Sequence, residues 1–375
     1  MPHSPEPNKD NLDDLPDTHP PQPVRYAEQA LLGALLLDPH RLGNVTGITA
    51  DSFSTATHTA LFAAISALPR PDPAEHAKNT KWLNQVLAAG REQARGLSVS
   101  YLHTLIQICP WPRHAPAYAR IVEAEHARRR LEAAAERLVQ TVHDVSLPHP
   151  VQTVLAEADA LAAVVDDIAS RFPPRAGVLP RTTAPPPPVA PDYTEAVEEE
   201  QLLLATATAH PADIESVRWL LPEDFNRPLH AGLWQCLTAL ARRREPVDPV
   251  TVLWEAQQRG LLDDGSEPGE VLRLLAEPAG SVEYWGERAL QRSLLATAEY
   301  TGRRIEAYAG DPANTPFQLV VGARRSLADI GAVRTRWQHS TGTVPTSRPR
   351  PAPTIRAGPP TTTAARPARA ARATR

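Results

Sequence analysis

Lysine is almost missing from this chain: Lys9, Lys78 and Lys81 are the only three in 375 residues, and none follows a glycine. A phosphate-cradling loop needs a glycine-rich turn ending in Gly-Lys-Ser/Thr, because backbone amides and one ammonium together hold the phosphates. The sequence has no such loop and no Gly-x-Gly-x-x-Gly, which excludes nucleotide hydrolysis by a P-loop fold within it. Cysteine is as scarce. Cys109 and Cys236 stand 127 residues apart with no Cys-x-x-Cys, so neither a disulfide framework nor a thiolate zinc site is expected. The longest apolar run, Ala30 to Leu37, is eight residues, far short of the roughly 20 that a membrane-spanning helix needs. The first residues are acidic (Glu6, Asp10, Asp13, Asp14 and Asp17 against Lys9) with no apolar stretch behind a basic start, so no signal peptide is read there. A soluble, cytoplasmic protein without membrane contact is expected.

Proline, by contrast, is abundant and clustered. Twenty-two of the 40 prolines fall in residues 1–23, 173–191 and 341–375. Proline lacks a backbone donor and fixes φ, so these stretches interrupt helices and sheets. They imply a disordered acidic tail over 1–24, an ordered domain over 25–171, a semi-extended linker over 172–192, a second domain over 193–338 and a disordered tail over 339–375.

The two ordered segments are related. A shift of 172 residues lays Glu28–Leu68 over Glu200–Leu240 without a gap, with 11 identical pairs in 41 positions, among them Glu28/Glu200, Pro39/Pro211, Phe53/Phe225 and His58/His230. The shift falls to 166 residues further on, as in Tyr118/Tyr284, Leu161/Leu327 and Ala162/Ala328. Drift through loops is the mark of a diverged tandem duplication. Apolar residues recur at three- and four-residue spacing, as in Leu31, Leu32, Leu35 and Leu36, and His58, Leu61, Phe62 and Ile65. Asp248 followed by Pro249 predicts a helix start, and Gly260 its end. Longer helices are expected at about 115–143 and 281–309, each with a return helix at about 150–170 and 315–337. The expected fold is all-α, with two tandem domains, each a compact multi-helix head followed by a helical hairpin.

Chemistry-bearing patterns are few. Glu123 and His126 form a Glu-x-x-His on one helix face, but a di-iron bundle uses that motif twice. His58 and His230 each precede a core leucine by three residues, which favours a structural or capping role. No nucleophile–base arrangement can be assembled, so no catalytic residue, cofactor or metal is expected. Arginine supplies 36 of the 39 basic residues. The runs Arg128–Arg130, Arg242–Arg244 and Arg303–Arg304 read first as solvated helix faces. The last 35 residues differ, with Arg348, Arg350, Arg356, Arg366, Arg369, Arg372 and Arg375 and no acid. Such a segment either keeps the chain soluble or attracts polyanions. It has no aromatic residue for base stacking, so contact with DNA or RNA would be electrostatic and sequence-blind.

The repeated segment resembles the N-terminal domain of DnaB-type bacterial replicative helicases. The carrying residues are AEQALLGALLLDP (Ala27–Pro39), ADSF (Ala50–Phe53), HTALFAAISAL (His58–Leu68) and YARIVEAEHARRRLEAA (Tyr118–Ala134). In the second copy they are EEQLLLATATAHP, LPEDFNRPLHAGLWQCLTAL and PVDPVTVLWEAQQRGLL. Asp248, Thr251 and Gly260 match the family's Asp-x-x-Thr-hydrophobic…Gly helix, a pattern the first copy lacks. The resemblance implies a module for self-association and for meeting primase and loader proteins. It implies no unwinding here, because the ATPase domain is not in this sequence.

Two readings stand. One is a non-catalytic scaffold or adaptor of DNA replication that self-associates or binds the replicative helicase or primase through its hairpins. Val122, Leu131, Leu138, Val142, Leu155 and Leu161 are then the candidate interface, or else intradomain core. The other is a nucleic-acid-binding accessory protein that acts through its arginine tail.

Overall fold

The computed structural model describes residues 23–173, 179–187, 194–262 and 267–342. Among them there is no strand and there are thirteen α-helices. The first head comprises α1 (Pro23–Leu37), α2 (Ala56–Ala67), α3 (Pro73–His76), α4 (Lys81–Gln93) and α5 (Val99–Ile108), followed by the hairpin α6 (Ala115–His143) and α7 (Pro150–Arg171). The second head comprises α8 (Thr194–Ala209), α9 (Pro228–Arg243), α10 (Pro249–Gln258) and α11 (Pro268–Leu274), followed by the hairpin α12 (Val282–Gly310) and α13 (Pro316–Ser340). Short 3-10 turns after α1 and α8 also correspond, at Pro39–Asn44 and Ala50–Ser52 in one head and Pro211–Glu215 and Pro222–Asp224 in the other. The short helix α3 is present in the first head alone.

Local chemistry explains the helix ends. The Asp248 carboxylate accepts from the amides of Val250 and Thr251 at 2.8 and 3.0 Å, while its own amide donates to the Thr251 hydroxyl. That reciprocal cap satisfies orphan donors at the start of α10. At its other end Gly260 has φ +71°, and the amides of Leu261 and Gly260 return to Ala256 and Gln257. This is the glycine-dependent C-terminal closure that the sequence suggested. Helix α5 was not read from sequence. It lies so close to α1 that a Cβ on Gly33 would stand 2.1 Å from the Leu105 carbonyl oxygen.

Two hydrophobic cores form. The smaller holds the first head, from Leu31, Leu35, Leu61 and Ile65 through Leu105 to Ala119 and Val122 at the start of α6. The larger is continuous through Leu131 and Leu138 of α6, Val154 and Leu161 of α7, the whole second head, and Leu294, Ile305, Ala323 and Ile330 of the second hairpin. The two hairpins therefore share one core.

Residues 179–187 of the proline-rich linker have no helix, yet they are not a free spacer. They lie along the second hairpin: the Arg181 amide donates to Asn314 Oδ1 (2.7 Å), Gln318 Nε2 to the Leu179 carbonyl (2.8 Å) and the Tyr300 hydroxyl to the Pro185 carbonyl (3.0 Å). Helix α1 begins at Pro23, two residues ahead of the expected domain start. The rest of the acidic tail and the arginine tail from residue 343 lie outside the described residues.

Candidate interface of the paired hairpins

Helices α6 and α12 pack antiparallel. Arg128, midway along α6, reaches the C-terminal end of α12, while His143 at the end of α6 lies 3.2 Å from Glu299 within α12. Between them the axes approach closely at Ala135 and Gly302. A Cβ on Gly302 would stand 2.5 Å from Val139 Cγ2 and 3.2 Å from the Ala135 carbonyl oxygen. Helices α7 and α13 also run antiparallel, with Phe172 against Phe317 (centroids 6.0 Å), Arg324 paired to Asp166 (2.8 Å) and Arg334 to Asp159 (2.7 Å). The four helices make a bundle in which one hairpin faces the other.

The arginine run of α6 sends each side chain to a different partner. Arg128 donates to the carbonyls of Ala309, Asp311 and Asn314, each at 2.7 Å. These carbonyls belong to the end of α12 and the turn into α13, where helical acceptors lack partners and the dipole favours a cation. Arg129 donates to the carbonyls of Ser52 and Phe53, tying α6 to the first head. Arg130 pairs with Asp167 on α7, and that hydrogen bond holds the Asp167 carboxyl below its ordinary range. The run is thus not the solvated face that its sequence suggested. The turn that Arg128 grips is held from the other side by the linker, since Asn314 Nδ2 donates to the Thr182 hydroxyl (2.7 Å) and to the Tyr308 carbonyl (2.9 Å).

The six candidate interface residues separate into two places. Leu131, Leu138 and Leu161 are buried in the shared core, and Val142 and Leu155 are half-buried against it. Val122 is buried in the first head's own core. The seven tail arginines, Arg348 to Arg375, lie outside the described residues.

Sequence reasoning saw Glu28/Glu200 and His58/His230 as separate identical pairs. The structure joins them: Nδ1 of His58 lies 2.6 Å from Glu28 Oε2, and Nδ1 of His230 lies 2.7 Å from Glu200 Oε2, all four residues being buried. The other carboxylate oxygen accepts a backbone amide at 2.7 Å, from Ser54 in one head and Asn226 in the other. A charged group buried this deeply requires such partners, and the pair fastens the first helix of each head to the second. In the first head His58 Nε2 also meets the Tyr101 hydroxyl (2.6 Å). These are structural latches. Glu123 and His126 sit among Arg120, Arg129, Arg130 and Arg171. Burial first, and the guanidinium groups of Arg129, Arg130 and Arg171 next, lower the His126 pKa. Among the described residues no three His, Cys, Asp or Glu side chains converge as metal ligands.

Sequence comparison agrees with this architecture. The family described as the DnaB-like helicase N terminal domain matches residues 19–124 and again residues 193–286. The chain belongs to that family. The DnaB-like matches cover both heads and end within the first turns of α6 and α12, so the seam at Ala135 and Gly302 lies beyond them. One curated relative is the replicative DNA helicase DnaB of Geobacillus stearothermophilus, 33% identical over 142 residues, which is 37% of this chain and 30% of that protein. The chain therefore spans under a third of that helicase's length. No solved structure matches the chain. Among the described residues no helix is long and apolar enough to cross a membrane.

Proposed function

We propose that this chain is a non-catalytic adaptor of the replication machinery. Its two DnaB-like domains, paired in one polypeptide, meet a replicative helicase or a primase. The observation that carries the reading is the pairing of α6–α7 with α12–α13. A covalent pair presents to a partner what two separate N-terminal domains would otherwise assemble. Tethering raises the effective concentration of one hairpin toward the other to the millimolar range, so the seam resists exchange with hairpins of other chains. A partner then reads the outer faces and the heads, where Trp111, Val250 and Trp254 are more than half exposed.

Light scattering on a sizing column tests this, first with the chain alone and then with the host's replicative helicase or primase. The expected result is a single-chain mass of 40.8 kDa alone and co-elution at a defined mass with one of the two partners. Separate peaks with both would overturn the adaptor reading. A dilution-resistant dimer of the chain alone would mean that the hairpins pair between molecules.

A further inference from the structure

A tyrosine closes the latch of the first head, and the second head has none there. In the first head Glu28 holds Nδ1 of His58, while Nε2 meets the Tyr101 hydroxyl at 2.6 Å. The Gln29 side chain lies beside the same hydroxyl. The Tyr101 and His58 rings are nearly parallel, 16° apart with centroids at 6.2 Å.

The two polar groups that hold this phenol recur in the second head, where Gln201 and His230 match Gln29 and His58 at the 172-residue shift. The phenol does not recur. Helices α5 and α11 begin at Val99 and Pro268, which sets Glu270 opposite Tyr101 and the buried Val271 opposite the buried Leu102. Glu270 is exposed, and its carboxylate lies 3.9 Å from Arg273. His230 is only 1% exposed, yet its Nε2 has no hydrogen-bond partner among the described residues, and neither has the Gln201 side chain. Where the tyrosine would stand there is a cavity of about 470 Å³, lined by Gln201, Leu229, His230, Glu270, Val271 and Leu274. The described tyrosines of the second domain are engaged elsewhere: Tyr284 packs on Trp285, Tyr300 donates to the Pro185 carbonyl and Tyr308 is buried beside Gly322.

We infer that this cavity takes the phenol of a tyrosine side chain presented by a partner protein, with its hydroxyl on Nε2 of His230 and beside Gln201. The Glu200 carboxylate only accepts, so Nδ1 of His230 donates to it. Nε2 is then a lone pair in the neutral ring and a donor in the protonated one, and a hydroxyl satisfies either form. The rim favours no ion, since Arg227 and Arg273 are balanced by Glu270 and Glu277. Leu229 and Leu274, both half-buried, give the aromatic ring apolar flanks. The inference rests on the adaptor reading only for the source of the tyrosine, because phenol binding is measured without any partner.

The test is equilibrium dialysis of p-cresol, the tyrosine side chain as a free molecule, against the full chain. Saturable binding is expected. A site built around a hydroxyl rejects the analogue that lacks it, so p-xylene should bind weaker by about tenfold or more, which corresponds to about 1.4 kcal/mol. His230→Gln, whose amide still donates to Glu200, should weaken cresol binding as much. Glu270→Tyr, at the exposed position matching Tyr101, should fill the cavity and abolish it. N-acetyl-tyrosinamide, which carries backbone on both sides, should compete with p-cresol. No saturable binding overturns the proposal, as does equal binding of p-xylene or full binding by either variant. Failure of N-acetyl-tyrosinamide to compete would leave a site for free phenols and overturn the partner tyrosine. Cresol binding seen only in Tyr193→Phe would make this chain's own tyrosine the occupant and overturn it too. Co-elution with a helicase or primase could fail while the cresol result stands, so the two readings fail separately.

Discussion

Ala135 and Gly302 meet where α6 crosses α12, and at the 166-residue shift of the two hairpins each lies one residue from the other's equivalent position. A contact between near-equivalent residues is the signature of an isologous, two-fold interface. Here it lies inside one chain. The second hairpin pair repeats the relation, for Asp166 with Arg324 and Asp159 with Arg334 flank Leu161 and Leu327, which also correspond. The chain thus contains a dimer-like pairing of its own two halves.

The close crossing predicts intolerance to volume. Gly302→Leu places a side chain where Val139 Cγ2 already lies 2.5 Å from the Cβ site. Overpacking of this kind costs about 1–3 kcal/mol, read as a lower urea midpoint. Val139→Ala in the same chain is expected to restore part of the loss, since the obstacle is a side-chain methyl. An unchanged midpoint for Gly302→Leu would mean that the helices are further apart.

The grip of Arg128 predicts a local consequence. Its guanidinium is mostly buried and serves several carbonyls of the α12–α13 turn. Arg128→Met leaves those acceptors without their charged donor, at a cost of about 1.5–3 kcal/mol. Amide exchange across 309–315 should quicken while that of α1 and α2 stays as it was. Arg128→Lys is expected to rescue little, because a point charge cannot span the fork of carbonyls. Uniform exchange changes over the whole chain would refute the local account.

The latch in each head can be compared with its copy. Glu28→Ala strands the Ser54 amide and the His58 ring, and Glu200→Ala strands the Asn226 amide and the His230 ring. Each loss is expected to cost about 1–3 kcal/mol through unsatisfied buried donors, measured by chemical denaturation. If either variant is as stable as the parent, its carboxylate is not an essential acceptor.

Much of this fold was legible along the chain because it is written locally. Helix starts at Pro150, Pro249 and Pro316, the Asp248 cap and the Gly260 stop depend on neighbours within four residues. The latches were half legible, since the repeat marks Glu28 and His58 as equivalent to Glu200 and His230 but says nothing of their contact. The pairing of the hairpins was not legible, because Leu138 and Leu161 look alike whether they face their own hairpin, the other one or another protein. The destinations of Arg128, Arg129 and Arg130 were hidden for a similar reason, since a carbonyl acceptor leaves no mark in sequence.

Both cysteines are expected to be silent in the folded chain. Burial pushes the Cys236 thiol up to about 11 and raises that of Cys109 as well. The thiolate is the reacting form, so at pH 8 both stay protonated as well as enclosed. A disulfide reagent should titrate no thiol per native chain and two in guanidinium chloride. Rapid native labelling of Cys236 would reveal opening of the second head, in which α9 is its seat.

The arginine tail makes a separate, quantitative prediction. Seven arginines stand between residues 343 and 375 with no acid among them. The described arginines of α6 are already committed to carbonyls and carboxylates, which leaves the tail as the main reservoir for phosphate contact. If all seven meet phosphates on duplex DNA, log K against log salt falls with a slope of about −6, from about −0.9 per contact. Ending the chain after Gly342 should flatten that slope and leave the helical signal and the single-chain state in solution unchanged. A slope that survives the truncation would move DNA contact onto the folded domains, where Arg242 and Arg244 are unpaired.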